Sequence, residues 1–499
     1  MKKNIYSSKF TKGMALAVAA LLFPIIAMSQ VRIDWQQCYG GVGRDYATGI
    51  CKAGNSFLVL GTVDRPQSPT MIDCEGSSFS RPWLIRIDDQ GTLQDQQCWN
   101  DFSLSANSIS IIKAQTTNDE YYLNAHESGR FSLLKTDDGF NEIWKREIGY
   151  FGANIEPTID GGVVLGHSYG HLNKDYDAYD SILKLDSQGN TEWRMSIGNM
   201  MVESITQSKD GGFFVSASSL DFTGEGFLLK LSRDGQLEWS RPYNPRPSIV
   251  LELEDGFLLA CTSAQEGGDS YYGPMDIFLF RTDMDGNILW NHSYGGSSNE
   301  GVCSVYANPN GGFTVFGYAQ SNDGDVQSNA DAIYPMIHIW IFHVNGSGEL
   351  VWEQTLGTPN YDVGINSVIQ IGSYKYVLAG SMVWEETSFG DVNCSNSSEI
   401  PNSGTNFWVL QLTDTINSTG LPEPLSQANA QIYPNPTKGS IFIQGIDPVE
   451  VQVYNAKGQW VKSFENTHEI FVGDLPKGLY LIKAFREDGQ CFTDKVVKE

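Results

Sequence analysis

Between Val31 and Asp414 the chain repeats one pattern seven times, at a period of about 50 residues. The clearest copies read SILKLDSQGNTEW from Ser181, GFLLKLSRDGQLEW from Gly226 and IFLFRTDMDGNILW from Ile277. Such a period restricts the chain to architectures of packed, near-identical units, because one unit cannot bury its own apolar face. It also weakens claims about chemistry, since a residue that recurs in every unit is first a residue that shapes the unit.

Each unit holds four apolar runs of strand length, bounded by turn residues and too short for helices. The second run follows a glycine turn and occurs seven times, from SFLVLG at Ser56 to YVLAG at Tyr376; the third, usually ending in a basic residue, also occurs seven times, from WLIRID at Trp83 to FWVLQLTD at Phe407. The fourth carries a tryptophan. Trp144, Trp193, Trp239, Trp290 and Trp352 stand four or five residues beyond Gly139, Gly189, Gly235, Gly286 and Gly348, a spacing that predicts a hairpin in which that glycine takes the positive-φ position.

The first repeat has only a degenerate version, with Trp99 out of register. Trp35 stands near the start of the mature chain with no partner strand before it, and the run ending at Asp414 has no tryptophan strand after it. One end has spare what the other lacks. The reading that uses every run is an all-β fold, a seven-bladed β-propeller of four antiparallel strands per blade, closed by strand 33–39 pairing with 406–412.

Asp160, Asp210 and Asn310 head Asp/Asn-Gly-Gly turns after the first strand of their units. Counted rather than met singly, they read as turn-formers, not catalytic acids. These hairpins and the outer Asp-x-x-Gly hairpins share one end of the ring. The opposite end carries the crossovers between units and the loops between second and third strands, of which 63–82, 169–180, 262–276, 319–336 and 382–405 are long and variable. Ligand binding is expected there, with Asp269, Tyr271, Tyr272, Tyr334, Trp384 and Glu385 the candidate contacts, since aromatics beside carboxylates suit stacking and hydrogen bonding to a glycan or peptide. Asn322 to Asn329, NDGDVQSN, has alternating oxygen ligands of the kind calcium takes, which makes Asp323 and Asp325 weak calcium candidates; the glutamate that completes an EF-hand loop is missing. No other cofactor is expected.

No nucleophile or acid/base pair breaks the repeat pattern. GxSxG, HExxH and P-loop motifs are absent, and His343 takes the usual Lys/Arg place in its strand. No catalytic residue is assigned. The alternative is a secreted polysaccharide hydrolase or lyase using loop carboxylates, whose separation a sequence does not give.

Lys2, Lys3, Lys9 and Lys12 precede the apolar run MALAVAALLFPIIA, and Ala27-Met28-Ser29 offers the small residues of a cleavage site, so residues 1–29 read as a signal peptide. Its removal takes four lysines and no acids, moving the formal charge from -26 to -30 (29 basic against 59 acidic). That surface argues against nucleic acid and anionic membranes as partners. No later stretch is apolar enough for a transmembrane span. Eight cysteines in an exported chain are free to form disulfides; Cys74 and Cys394 occupy equivalent loops of the first and last repeats, which suggests that pairing if the array closes.

After Asp414 the repeat stops. Residues 415–430 form a polar, proline-bearing linker, and the final 69 residues show short alternating strands of a small β-sandwich. Tyr433-Pro434-Asn435-Pro436 with Gly439, Val453-Tyr454-Asn455 with Gly458, Leu475-Pro476 with Gly478 and Tyr480, and the basic end from Lys495 to Lys498 resemble the type A C-terminal sorting domain, Ig-like in fold, of the Bacteroidota type IX secretion system. The repeats are similar to the propeller repeats often joined to such domains; Tyr294-Gly295-Gly296 through Gly312 to Asp323-Gly324-Asp325-Val326 is the best copy. The resemblance implies passage through the periplasm, the type IX machinery as partner, and a secreted or outer-surface location. It implies no catalytic residues. The function expected is an exported β-propeller that binds an extracellular glycan or protein.

Overall fold

The computed structural model describes residues 31–40, 43–63, 81–99, 110–113, 119–127, 130–149, 153–167, 181–198, 200–219, 226–264, 274–329, 336–358, 361–384, 391–392, 404–415, 431–444, 448–455, 460–465, 467–485 and 491–498. The expected signal peptide and the Cys74 and Cys394 positions lie outside them.

The chain is all-β, built largely from small four-stranded antiparallel sheets in a propeller-like arrangement. Among the described residues, six sheets before Asp414 take their strands in chain order. They run from Tyr46–Ala53 to Leu93–Cys98, Ser110–Lys113 to Glu142–Gly149, Ala153–Pro157 to Thr191–Ser196, Met200–Gln207 to Leu237–Tyr243, Ile249–Glu252 to Ile288–Tyr294, and Glu300–Ala307 to Leu350–Leu356. A seventh takes Val363–Gly372, Lys375–Trp384 and Gly404–Asp414, and adds Val31–Tyr39 as its outer strand. That pairing runs from Val31 opposite Asp414 to Tyr39 opposite Phe407, with a bulge between Ile33 and Trp35.

Second and third strands are almost wholly buried; Leu58 to Leu60, Ile339 to Phe342 and Phe407 to Leu410 are examples. Strands covered on both faces lose the in-out alternation, which is why these runs are continuously apolar. The core is a series of clusters between neighbouring sheets. One joins Phe57, Val59, Trp83 and Ile85 of the first sheet to Val377, Phe407 and Val409 of the seventh. The same two sheets are bonded through their inner strands: Asn366 Nδ2 donates to Ala47 O at 2.7 Å and the Ile50 N–H to Ser367 Oγ at 3.2 Å.

Residues 431–498 form a three-stranded sheet (Gln431–Tyr433, Ser440–Gln444, Glu469–Phe471) and a four-stranded one (Trp460–Glu465, Glu450–Asn455, Gly478–Phe485, Cys491–Lys498) around one cluster that includes Ile441, Val451, Ile470, Ile482 and Val496. Cys38 and Cys98 each take part in a disulfide, and Cys51, Cys261 and Cys303 are reduced. Among the described residues no helix is long and apolar enough to cross a membrane.

Candidate functional site

The conspicuous residues of the turn end are occupied by structure. In the outer hairpins an aspartate accepts from the turn it heads: Asp186 Oδ1 from the N–H of Gln188 (2.9 Å) and of Asn190 (2.8 Å), and Asp283 Oδ1 from Asp285 (3.0 Å) and Asn287 (2.8 Å). The side chain and N–H of Asn287 hold the Asp283 carboxyl below the usual carboxylate range. Gly91, Gly189, Gly235, Gly286 and Gly348 take φ values of 78°, 83°, 75°, 79° and 84°.

Gly139 does not fit the expectation. The positive φ of the second repeat falls on Phe140, at 61°. Asp137 accepts from the Asn141 N–H at 2.8 Å as Asp186 does from Asn190, so the aspartate and the asparagine four residues later set the register, and Gly139 stands one place early.

Most of these turns receive an aromatic side chain from the preceding sheet; the second instead receives Arg86, whose Nη2 donates to Asp138 O at 2.7 Å beneath the Phe140 ring. Trp144 Nε1 donates to Ser187 O (3.0 Å), Trp193 Nε1 to Arg233 O (3.1 Å), Trp290 Nε1 to Gly346 O (3.0 Å) and Tyr243 Oη to Gly286 O (2.7 Å). Trp35 and Tyr39, on the first strand, do this to the first sheet: the Trp35 ring lies over Gly91 and Tyr39 Oη donates to Gly91 O.

The inner turns are held by the basic residue of the third strand. Buried Lys184 Nζ meets Asp160 Oδ2 at 3.1 Å and Glu192 Oε2 at 2.7 Å, and Lys230 Nζ meets Asp210 Oδ2 at 2.8 Å. In the sixth sheet His343 stands in that place, accepting at Nδ1 from Asn308 Nδ2 at 2.9 Å, and burial lowers its pKa. A neutral imidazole thus replaces the cation of a turn whose acid position holds Asn310, and Asn308 stands where Thr158 and Ser208 stand in the other units.

At the crossover end Asp323 and Asp325 come together with the Tyr294-Gly295-Gly296 segment. Asp323 Oδ1 accepts from the Ser297 N–H (2.7 Å) and Asp325 Oδ2 from the Gly295 N–H (3.2 Å). Fully buried Glu300 accepts from Gly296 (2.9 Å), Ser321 (3.0 Å) and Gln320 (3.3 Å) N–H groups. His338 lies between Asn329 Oδ1 and Thr358 O, the latter at 2.8 Å, and Asp391 Oδ2 accepts from Gly357 N–H at 3.2 Å, its carboxyl pushed up by burial. These oxygens anchor the loops to the sheets. Among the described residues no group of three or more His, Cys, Asp or Glu side chains is arranged to hold a metal ion.

Asp269, Tyr271, Tyr272, Tyr334 and Glu385 lie outside the described residues, as does the Trp384 side chain at the end of its strand. Sequence reasoning missed a recurring acid or amide five residues beyond the crossover glycine: Gly40 and Asp45, Gly149 and Asn154, Gly198 and Glu203, Gly295 and Glu300, Gly357 and Asp362. At Gly198 the glycine is required by its φ of 70°, with open space around it; at Gly40 and Gly295 it is required by close approach. A methyl group on Gly295 would lie 2.3 Å from Asp276 Oδ1 and 2.7 Å from Glu300 Oε2, and on Gly40 2.3 Å from Asn406 Oδ1 and 2.5 Å from Asp45 Oδ2.

In the tail the motif residues do folding work. Asn435 Nδ2 donates to Lys495 O (2.6 Å) while its Oδ1 accepts from the Val497 N–H (2.9 Å), clamping the last strand; Thr437 N–H adds a bond to Val497 O (2.9 Å). Tyr480 Oη donates to Pro476 O (2.8 Å), Lys498 is buried, Lys495 is exposed, and Gly478 opens its strand. Pro434 and Pro436 flank Asn435 on the exposed turn, Gly439 precedes the second strand, and Gly458 lies outside the described residues.

Residues 431–499 match the secretion system C-terminal sorting domain family. The tail is a sorting domain of the type IX kind that its motifs resemble. No curated protein matches the chain in sequence. Among solved structures, a protein of unknown function from Bacteroides caccae is similar at 15% identity and a TM-score of 0.33, over 59% of this chain and 93% of that one. BamB from Moraxella catarrhalis is similar at 9% identity and 0.37, over 76% and 99%. The extracellular domain of a candidate hybrid two-component system from Bacteroides thetaiotaomicron is similar at 13% identity and 0.38, over 92% and 57%.

Proposed function

We propose that the seven sheets are the blades of one closed ring, that the sorting domain directs the chain through the type IX machinery to the cell surface or the medium, and that the ring binds an extracellular glycan or protein through its crossover-end loops. The observation that carries this reading is the contrast between the two ends. At the turn end the recurrent Asp, Gly, Trp and basic residues are taken up by bonds within and between sheets, which turns the search for a ligand site to the other end, where the loops differ in length and sequence from unit to unit. What supports the ring is the first strand, which belongs to the seventh sheet while seating Trp35 and Tyr39 on the first.

The test uses the mature chain on glycan and protein arrays beside a turnover assay on the same polysaccharides. Saturable binding is expected, lost on Tyr271→Ala with Tyr272→Ala or on Trp384→Ala. Sustained product release, abolished by substituting one loop carboxylate, would overturn the binding reading in favour of a hydrolase or lyase.

A further inference from the structure

The chain divides its charge unevenly. Residues 431–499 carry eight basic and nine acidic side chains, net -1, whereas residues 30–430 carry 21 against 50, net -29. With the signs balanced, the tail has no net field of one sign to draw a partner in, and apolar surface that its sheets leave exposed is the natural seat of a contact.

The three-stranded sheet of the tail supplies that surface. Ile432, Ile441, Ile443 and Ile470 face the core. The alternate residues of the same strands, Tyr433, Phe442 and Phe471, point outward and are 47%, 38% and 50% exposed. Tyr433 stands opposite Phe442, ring centroids 5.9 Å apart, and Phe471 lies on the other neighbouring strand, opposite Ser440. Lys462 Nζ, 5.9 Å from the Phe471 ring, is already paired with Asp474 at 3.1 Å. Exposed Glu469 stands opposite Phe442 on the same face, two residues before Phe471. One cross-strand aromatic pair is a stabilising device; with Phe471 diagonal to it, the aromatics form an apolar patch bordered by one carboxylate that folding does not require. Asn435 and Tyr480 are occupied by bonds inside the domain, whereas the Tyr433 ring faces solvent.

We propose that Tyr433, Phe442 and Phe471 are the face by which the tail is read during export, docking into an apolar cleft on a protein of the secretion apparatus, with Glu469 at the rim of the contact. The inference rests on the tail's role as a sorting domain. It is tested with the full-length chain in a bacterium that has the type IX machinery, with Phe442→Thr and Phe471→Thr combined, threonine keeping the strand preference. The expected result is at least a tenfold fall in chain at the surface or in the medium, with the retained chain as protease-resistant as the parent.

Leu479→Thr with Val497→Thr is the control. That pair, 44% and 41% exposed, stands opposite each other on the four-stranded sheet and is expected to leave export unchanged. Export of the Phe442/Phe471 variant at the parent level, or equal loss in both variants, overturns the proposal. Should the double variant lose protease resistance, Tyr433→Thr, on the three-residue edge strand, decides by the same criteria. Removal of 431–499 separates the two readings: export without the tail refutes the sorting role itself, whereas retention without it, beside normal export of the patch variants, refutes only the docking face. A purified mature chain whose sedimentation as a dimer is abolished by the patch variants would assign the face to a second copy and likewise overturn the proposal.

Discussion

Gly91→Ala measures whether the first strand locks onto the first sheet. Two terms enter. Gly91 has φ of 78°, a region costing an alanine about 1–2 kcal/mol, partly offset by the lower entropy of the unfolded alanine chain, about 0.4–1 kcal/mol. Gly211, with φ of 86°, carries the same terms and little else, because a methyl group there meets only Arg233 Cδ at 3.7 Å. On Gly91 the methyl would lie 2.8 Å from Cε3 and Cζ3 of Trp35 and 2.9 Å from Gln37 Cγ, well inside the contact optimum of about 3.5–4.0 Å. Overpacking of that kind adds about 1–3 kcal/mol. Urea unfolding of the mature chain should therefore show a small loss for Gly211→Ala and a clearly larger one for Gly91→Ala. Trp35→Ala combined with Gly91→Ala should cost less than the sum of the two singles, by about the overpacking term. Equal losses at positions 91 and 211, or strict additivity with Trp35→Ala, would refute the argument that Trp35 of the first strand is seated on the first sheet's turn.

Three other outcomes are expected. Burial pushes Glu156 up to about 7; the folded state then holds a proton that the unfolded state releases near 4.5, so stability should fall as pH rises from about 4.5 through 7, and Glu156→Gln should stabilise the chain at pH 8 but not at pH 4 in parallel thermal melts. Burial raises the Cys261 thiol to about 12 and that of Cys303 to about 11, so both should resist iodoacetamide at pH 8 until denaturant is added, as mass spectrometry would show. Asn435→Ala removes two bonds to the last strand, at about 1 kcal/mol, and should speed hydrogen exchange at the Val497 amide while leaving that of Ile482 unchanged.

The strand inventory was legible because β-runs buried on both faces are short, apolar and punctuated by turns whose residues are chemically specific. Counting left one run without a partner at each end, and those runs, Val31–Tyr39 and Gly404–Asp414, pair in register. Gly139 misled because the repeat is registered by hydrogen bonds, not by glycine: Asp137 and Asn141 fix the turn, and Phe140 takes the strained place. The Gly-x4-acid spacing was overlooked because its last member varies among Asp, Glu and Asn. Only the packing shows that Gly40, Gly295 and Gly357 make room for polar side chains, as Gly295 does for Asp276 and Glu300.

The site was less legible for a physical reason. A turn residue answers to its own hairpin and to the aromatic side chain that the preceding sheet lays on it, so its identity repeats and can be read; Gly189 answers to Trp144 as Gly348 does to Trp290. A loop residue answers to neither, so a single sequence gives no pattern against which to judge it. The described acids at the crossover end illustrate the difficulty: Asp323 and Asp325, singled out for their oxygens, each put one of them on a backbone N–H, of Ser297 and of Gly295. It follows that stability and binding should separate. Substitutions at Trp144, Trp193 or Gly348 should lower the unfolding midpoint, and shift ligand affinity only through loss of fold, whereas substitutions at Tyr271 or Trp384 should change affinity at a constant midpoint. A turn-end variant that folded normally yet lost binding would mean that the division of labour between the two ends is wrong.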